Sequence, residues 1–248
     1  MSGFADHFSD AAAGYAAHRP LYPAELFVWL AQQAAAREMA WDCATGNGQA
    51  ALGLADHFER VVATDASPQQ VAHAMPHARV VYSVATAEAS GLPDASVDLV
   101  SVAQAAHWFD LPLFYAEVRR VLRPGGLLAL WGYERLRVDP CVDTVLEGFY
   151  GDRLEGCWPP ERRHVETAYR ELDFPFDECC TPEFAMTVMW DLNDLLGYIE
   201  TWSAVRRYCT RHGRDPVPKL RDALNEVWGS PGMRKVIKWS LFMRLGRV

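Results

Sequence analysis

The sequence predicts an α/β fold, built on a mostly parallel sheet that is covered by helices on both faces. Three observations support this class: short apolar strands alternate with helices through the first 135 residues, the chain has 248 residues, and 50% of them are hydrophobic. Parallel strands need crossover connections, and these place helices over both faces of the sheet. A chain of this length and composition can bury one large core.

Apolar runs, several of them rich in β-branched residues, predict five strands at 39–43, 60–65, 79–84, 97–103 and 127–133. Good helix formers at helical spacing predict helices at 49–58 and 112–122. Ser67 is expected to cap a further helix whose first position is Pro68. The segment "RPGG" at 123–126 predicts a turn before the fifth strand.

Beyond Tyr133 the alternation ends. Helical spacing recurs at 141–150, 161–172, 192–205 and 219–228, whereas 183–189 and the final "RKVIKWSLFMRLGRV" predict strands. Helices without a place in the sheet most economically cover its carboxyl edge, where open α/β sheets bind ligands. We therefore expect a seven-stranded sheet with a helical cap in the C-terminal half. Its three parts are a core over 1–135, a mostly helical cap with one candidate strand over 136–232, and a terminal strand over 233–248.

The composition restricts the function classes. The formal net charge of −8 argues weakly against a nucleic-acid binder, because phosphate neutralisation needs clustered Lys and Arg. No apolar run reaches the length of a membrane span, and the N-terminal "MSGFADHFSD" lacks the features of a signal peptide. The six cysteines form no C-x-x-C pair, and no histidine cluster stands at zinc spacing. We expect a cytoplasmic protein with reduced cysteines, no metal site, and neither a nucleic-acid nor a membrane partner.

A glycine-containing loop, "WDCATGNGQA" at 41–50, connects the first strand to the first helix. Glycines at such a position let the backbone approach a ligand, and the following helix offers free N–H groups. A tight turn without a ligand would use similar residues. Asp65 ends the next strand, where an acidic side chain can reach the ribose hydroxyls of a nucleoside. Because Ser67 already supplies the helix cap, Asp65 is not needed for that purpose.

Two cofactor classes fit this loop: a dinucleotide and S-adenosylmethionine. Gly46 and Gly48 form G-x-G, and Ala51 follows where the dinucleotide pattern has glycine or alanine, so this pattern does not decide between the two. Asp42 precedes the loop. A carboxylate there would face a pyrophosphate unfavourably, whereas it suits a cationic amine such as that of S-adenosylmethionine.

With these landmarks the chain resembles the class I S-adenosylmethionine-dependent methyltransferases, from about Tyr15 to Tyr133. The matching features are the acidic residue and glycine loop after strand one, the acidic end of strand two, "ATAEASGLP" after strand three, "LPDASVDLV" into strand four and "VLRPGG" before strand five. The resemblance implies a Rossmann-like, doubly wound fold. It also implies cofactor contacts at Asp42, Ala44, Gly46, Gly48, Asp65, Ala66, Ala87 and Glu88. Ala44 replaces the usual first glycine of the loop, and we expect binding to survive this change.

More narrowly, three segments are similar to the type 11-like branch that includes trans-aconitate methyltransferase. They are "GYAAHRPLYP" at 14–23, "QAAHWFD" at 104–110 and "YIETWSA" at 198–204. This resemblance implies that Tyr15 and Arg19 lie at the methionine end of the cofactor and that Gln104 lies near its sulfonium.

Four residues are candidates for acting on the methyl acceptor. His107 could be a general base or a histidine that orients its loop. Trp108 could stack on a planar substrate or pack in the core. Tyr133 ends strand five and is expected to face the substrate. Arg206 could pair with a substrate carboxylate or belong to a solvated helix face.

The sequence therefore predicts an S-adenosylmethionine-dependent methyltransferase of a small molecule, with a carboxylate among the candidate acceptors. One alternative is a non-catalytic protein that binds S-adenosylmethionine or S-adenosylhomocysteine. A less favoured alternative is an NAD(P)-dependent oxidoreductase, since the chain has no Tyr-x-x-x-Lys pair and its three lysines all lie near the C-terminus. The identity of the acceptor and the oligomeric state stay open.

Overall fold

The structure is a computed structural model that describes residues 20–230 and 232–248. Tyr15 and Arg19 lie outside the described residues. The strands are β1 Met39–Cys43, β2 Arg60–Asp65, β3 Val80–Val84, β4 Val97–Ala103, β5 Leu122–Tyr133, β6 Asp177–Cys179, β7 Phe184–Trp190 and β8 Lys235–Arg247. The helices are α1 Ala24–Gln33, α2 Gln49–Ala55, α3 Pro68–Ala72, α4 Leu111–Val121, α5 Pro140–Gly148, α6 Arg162–Glu166, α7 Leu192–Glu200, α8 Ser203–His212 and α9 Val217–Trp228. Short 3₁₀ and π-helical turns cover Ala106–Trp108 and Phe149–Arg153.

The strands form one mostly parallel sheet with the order β3-β2-β1-β4-β5-β8. The first five strands run parallel, and β8 runs antiparallel to β5. The predicted α/β class is confirmed. Within the described residues the sheet has eight strands instead of the predicted seven, because β6 joins it in addition to β7. Both pair with β8, at 245–247 and 235–241 respectively. With only three residues, β6 is too short to produce a sequence pattern.

The predicted turn at 123–126 is instead part of β5. Val97 pairs with Leu122 and Leu99 pairs with Leu127, so the intervening residues form a bulge between two paired positions. Gly125 has a φ of 76° in this bulge, a conformation that glycine adopts without steric cost. The bulge lets the strand begin directly after α4.

The strand and helix predictions for the first half match the structure closely, with α2 ending at Ala55 instead of residue 58. Ser67 caps α3 as predicted, because its Oγ accepts a hydrogen bond from Gln70 N and Pro68 follows it. The predicted helix at 192–205 is two helices, which are separated where Trp202 adopts an extended conformation. The helix predicted at 161–172 ends at Glu166, since Ala168 and Tyr169 are left-handed with φ of 53° and 58°.

Three apolar clusters form the core. Two of them cover the opposite faces of the sheet. The third joins the cap helices to the sheet edge and includes Leu196 of α7, Leu224 of α9 and Trp239 of β8. The division of the chain at residues 135 and 232 stays a prediction. Within the described ranges, no helix has both the length and the apolar character to cross a bilayer.

Candidate functional site

A cavity of about 880 Å³, as bounded by the described residues, opens at the carboxyl edge of the parallel strands. The loops after β1, β2, β3, β4 and β5 line one part of it, and α5, α7, α8 and the segment before α6 line the rest. The sheet order changes direction between β1 and β4, which is where open α/β sheets bind ligands. The volume lies within the range of small-molecule sites and can hold a nucleoside beside a second small molecule.

Asp42 lies beneath the loop after β1 and does not line this cavity. Its side chain is fully buried, and its carboxylate accepts hydrogen bonds from Thr45 Oγ1 at 2.5 Å and Ser101 Oγ at 2.6 Å. Burial raises the pKa of Asp42 to about 6, although both hydroxyl groups oppose the shift. Asp42 ties the loop to β4 through these two hydrogen bonds. The contact between Asp42 and a ligand amine stays a prediction.

The loop itself is strongly curved. Ala44 and Gly46 are left-handed, with φ of 56° and 57°, and both line the cavity. An alanine in this conformation costs about 1 kcal/mol relative to its usual region, so replacing the usual glycine adds backbone strain as well as a methyl group. Among the described residues beyond its chain neighbours, a Cβ at Gly46 would have only Gln70 Oε1 within 4.0 Å, which leaves room for a ligand.

Gly48 supports the loop from outside the cavity. Its φ is 92°, and a Cβ at this position would lie 2.3 Å from Tyr82 Oη. The structure gives this glycine a packing and conformational function, and its contact with a cofactor stays a prediction.

Asp65 connects the first two cavity loops. One carboxylate oxygen accepts a hydrogen bond from Gly46 N at 2.9 Å, and the other accepts one from Ser67 N at 2.8 Å. The side chain lines the cavity and is 9% exposed. Two backbone donors thus fix the direction of a carboxylate that faces the cavity.

The next wall of the cavity is partly apolar. Ala66 and the buried Ala87 line it together with Glu88. Glu88 Oε1 accepts a hydrogen bond from Asp110 N at 3.1 Å, so this carboxylate joins the loop after β3 to the loop after β4. A flat, weakly polar ring fits between such surfaces.

Gln104 directly follows β4 in a left-handed conformation with φ of 59°. Its Oε1 accepts a hydrogen bond from Tyr133 N at 2.9 Å, and its own N donates to Trp131 O at 2.7 Å. A Cβ at Gly132 would lie 2.4 Å from Gln104 Oε1, so this amide needs glycine opposite it. Gln104 therefore lines the cavity while its side chain holds the end of β5.

His107 also lines the cavity, and its Nδ1 lies 2.9 Å from the hydroxyl of Tyr169. Tyr169 is fully buried behind it. Burial, and then the positive charge of Arg162, lower the pKa of His107 to about 3. The imidazole is therefore neutral near pH 7. A general base works best with a pKa near the working pH, so the lowered pKa favours the second predicted function, that of a histidine that orients its loop.

The other three predicted acceptor residues reach the same cavity. Trp108 lies beside His107 with 4.8 Å between ring centroids, and it is half-buried instead of forming part of the core. Tyr133 is 9% exposed at the end of β5, and Arg206 projects from α8.

The cap contributes a column of aromatic rings and guanidinium groups that lines the cavity. Tyr150 and Trp158 stack with their centroids 4.3 Å apart. The guanidinium carbon of Arg135 lies 4.9 Å from the centroid of the Tyr150 ring. The guanidinium carbon of Arg162 lies 5.3 Å from the centroid of the Trp158 ring. In the part of the chain that is described, no carboxylate lies within 4.0 Å of either guanidinium.

Most of the predicted site residues come together in this one cavity: Ala44, Gly46, Asp65, Ala66, Ala87, Glu88, Gln104, His107, Trp108, Tyr133 and Arg206. Asp42 and Gly48 lie behind it. The sequence did not reveal Thr45 of the loop after β1, nor Tyr150, Trp158, Arg162 and Tyr169 of the cap. No local pattern distinguishes these cap residues, because only the folded chain brings them to the loops.

Comparison with known proteins gives a consistent result. A family model for a methyltransferase domain matches residues 41–130. A "Putative methyltransferase" of Dictyostelium discoideum is 32% identical over 229 residues, which cover 91% of this chain and 87% of that protein. An "Uncharacterized methyltransferase" of Mycobacterium tuberculosis is 41% identical over 126 residues, 50% of each chain.

The fold is also close to a solved structure, that of a "Putative Type II Methyltransferase" from Anaeromyxobacter dehalogenans. The two share 48% sequence identity and a TM-score of 0.89, over 93% of this chain and 98% of that chain. The similarity spans nearly the whole chain, and the domain match and the sheet order agree with it. The chain therefore belongs to the class I S-adenosylmethionine-dependent methyltransferases.

Proposed function

We propose that the chain binds S-adenosylmethionine between the loops after β1, β2 and β3 and methylates a small acceptor beneath the cap. The observation that carries this proposal is the single cavity, bounded by the described residues, in which the cofactor-type loops and the cap wall face one another. We propose a small acceptor because the loops and the cap enclose this space on several sides, which limits the size of a bound molecule. The narrower similarity to the trans-aconitate methyltransferase branch is part of the same proposal.

The residues present fit this cofactor. Asp65 is held by two backbone N–H groups and offers acceptors for the ribose hydroxyls. Ala66 and Ala87 offer an apolar surface for the adenine, and Gly46 leaves space at the loop. Tyr15 and Arg19 remain proposed contacts at the methionine end. Asp42, buried beneath the loop, remains a proposed partner of the cofactor amine through its negative charge.

We infer that the acceptor carries a carboxylate. When bound, the cofactor supplies a methyl group on a sulfonium, which a carboxylate oxygen can attack without any proton leaving. Arg135 and Arg162 face the cavity without a carboxylate partner in the described ranges, and guanidinium groups bind carboxylates bidentately. The neutral His107 agrees with a reaction that needs no base.

Two measurements test the cofactor and the reaction. S-adenosylhomocysteine at 100 times its Kd should stabilise the protein by about 2.7 kcal/mol. For a chain of this size that corresponds to about 5–10 °C in Tm, whereas NAD should cause no shift. A shift with NAD alone would overturn the cofactor. Methyl transfer should then be followed with labelled S-adenosylmethionine and small mono- and polycarboxylates, each beside its uncharged amide. Transfer to the amides but not to the acids would overturn the acceptor class.

The acceptor wall has its own variant test. Arg162→Gln should raise the KM for a carboxylate acceptor about 10- to 100-fold, the effect of losing 1.4–2.8 kcal/mol of charge-assisted hydrogen bonding. Arg163→Gln is the matched control, because Arg163 is 70% exposed, pairs only with Glu171 at 3.8 Å among the described residues and does not line the cavity. Equal KM values for the two variants would remove Arg162 from the acceptor site.

A further inference from the structure

We propose that Tyr169 is a positioning residue that holds His107 in a single neutral tautomer, so that His107 presents its Nε2–H to the methyl acceptor as a hydrogen-bond donor. That the Nε2–H group donates to the methyl acceptor rests on the proposed function. The tautomer itself is a property of the chain alone.

The direction of the hydrogen bond follows from the contacts of the Tyr169 hydroxyl. Its oxygen lies 2.9 Å from His107 Nδ1. The hydroxyl is buried, and His107 Nδ1 is the hydrogen-bond partner that the described residues give it. Donation to Nδ1 satisfies the hydroxyl hydrogen, whereas a protonated Nδ1 would leave that buried hydrogen without an acceptor, at a cost of about 1–3 kcal/mol. A neutral imidazole that accepts at Nδ1 carries its proton on Nε2.

Nε2 is open to the cavity. Over the described residues, only Trp131 Nε1 and His164 Nδ1 are side-chain nitrogens that are both fully buried and without a partner. His107 Nε2 has no protein partner in that part of the chain, so solvent reaches it from the cavity that His107 lines. The Nε2–H group is therefore available to a bound molecule.

Tyr169 is held too firmly to release Nδ1. The ring is fully buried and meets the Phe242 ring edge-on at 5.0 Å. Its left-handed backbone, with φ of 58°, is fixed by a hydrogen bond from Tyr169 N to His164 O at 2.7 Å and one from Arg244 Nη1 to Tyr169 O at 3.2 Å. A strained conformation that several contacts maintain directly behind a cavity-lining residue is typical of functional positions.

A donor at Nε2 complements the cap wall. Arg162 is close enough to His107 to affect its charge state, so an imidazolium is disfavoured and the group stays neutral. Arg162 and the Nε2–H can then approach a carboxylate from two directions and fix which oxygen faces the methyl group. Orientation of this kind is the main contribution that a protein can make to an in-line transfer.

The tautomer is tested directly by NMR on the ligand-free full chain labelled with ¹⁵N-histidine. His107 signals are assigned by their loss in His107→Gln. The expected pattern is a protonated Nε2 and an unprotonated Nδ1 in the wild type, and a mixture of tautomers in Tyr169→Phe. Tyr115→Phe is the matched control, because it removes another largely buried hydroxyl that binds the same cap segment, through Asp173 O at 2.6 Å. A protonated Nδ1 in the wild type, or no change in Tyr169→Phe, would overturn the inference.

Kinetics with a carboxylate acceptor separate a donor from a base. The side chain of His107→Gln can donate from a similar position but cannot accept a proton at neutral pH. We expect it to keep kcat/KM within about 10-fold of wild type, whereas His107→Leu should lose about 100-fold or more. Equal losses in both variants would overturn the donor function. Absence of S-adenosylhomocysteine binding would instead overturn the proposed function. The NMR result on the tautomer would not be affected by that outcome.

Discussion

At the scale of single residues, Asp65 is the strongest test of the cofactor site. Asp65→Ala should raise the Kd for S-adenosylhomocysteine about 10- to 100-fold, because ribose hydroxyls would lose a charged acceptor worth about 1.5–3 kcal/mol. Calorimetric titration measures this Kd at a temperature well below Tm, since Gly46 N and Ser67 N also lose their acceptor. Asp56→Ala, at the exposed end of α2, is the control. An unchanged Kd in Asp65→Ala would show that the ribose lies elsewhere.

His107 gives a prediction about stability and pH. Its pKa falls from 6.5 to about 3 on folding, so between these values the unfolded chain binds a proton that the folded chain does not. The contribution of His107 therefore makes the protein less stable as pH falls through this window, by at most about 1.4 kcal/mol per pH unit. His107→Gln lacks this dependence and should become more stable relative to wild type as pH falls from 6.5 to 4.

Denaturant unfolding of both proteins at several pH values measures this difference. Asp42 titrates with the opposite sign, because burial raises its pKa from 3.8 to about 6 and the folded chain binds the extra proton there. It is present in both proteins, so its effect cancels in the comparison. A stability difference that stays constant with pH would show that His107 titrates normally in the folded protein.

At the scale of elements, the junction of β1 and α2 depends on Gly48. Gly48→Ala should destabilise the protein by about 1–2 kcal/mol of backbone strain and a further 1–3 kcal/mol of overpacking against Tyr82. Gly91→Ala is a matched control, because Gly91 is also left-handed, with φ of 74°, and a Cβ there would meet no described atom within 4 Å beyond its chain neighbours. The free energy of unfolding of Gly91→Ala should fall only by the backbone strain.

Urea unfolding measures both variants. Adding Tyr82→Phe to Gly48→Ala should recover part of the loss, since the hydroxyl is the nearest atom at 2.3 Å. If Gly48→Ala and Gly91→Ala lower the free energy of unfolding by the same amount, Tyr82 does not restrict the loop.

At the scale of the whole molecule, Arg244 of β8 fastens the cap segment that carries Tyr169. It pairs with both carboxylate oxygens of Glu178 at 2.9 Å, donates to Leu172 O at 2.7 Å and lies over the Phe174 ring at 4.4 Å. Arg244→Ala should destabilise the protein by about 2–4 kcal/mol, because a partly buried charged network is broken. At about 2–4 °C per kcal/mol, Tm should fall by at least about 4 °C.

Arg247→Ala is the control for this prediction. Arg247 lies on the same strand and also donates to backbone carbonyls, but its side chain is exposed. We expect a change of about 0.5 kcal/mol or less, as for surface substitutions in general. Calorimetry on both variants compares them, and similar Tm values would show that Arg244 does not secure the cap.

Much of the fold was accessible from local patterns. A strand such as β2 in a parallel sheet is buried on both faces, so it is a continuous apolar run with an abrupt end at Asp65. Ser67 and Pro68 predict the start of α3, because they act on the hydrogen bonds of its own first turn. Such signals depend only on neighbouring residues, so they can be read without knowledge of the rest of the chain. The cap was harder to predict, because its boundaries at Glu166 and Trp202 depend on tertiary contacts that override helical spacing.

The α/β class, the position of the cofactor-type loop and the acidic end of β2 follow from the sequence alone, since spacing along adjacent strands places these residues at one edge of a parallel sheet. Which residues face the cavity depended on the folded chain. Folding buried Asp42 beneath the loop, packed Gly48 against Tyr82 and brought Tyr169, which is 62 residues from His107, to the Nδ1 atom of that histidine. The reason is physical: the charge and tautomer of a side chain depend on burial and on partners that are distant in the chain, and no local pattern contains them.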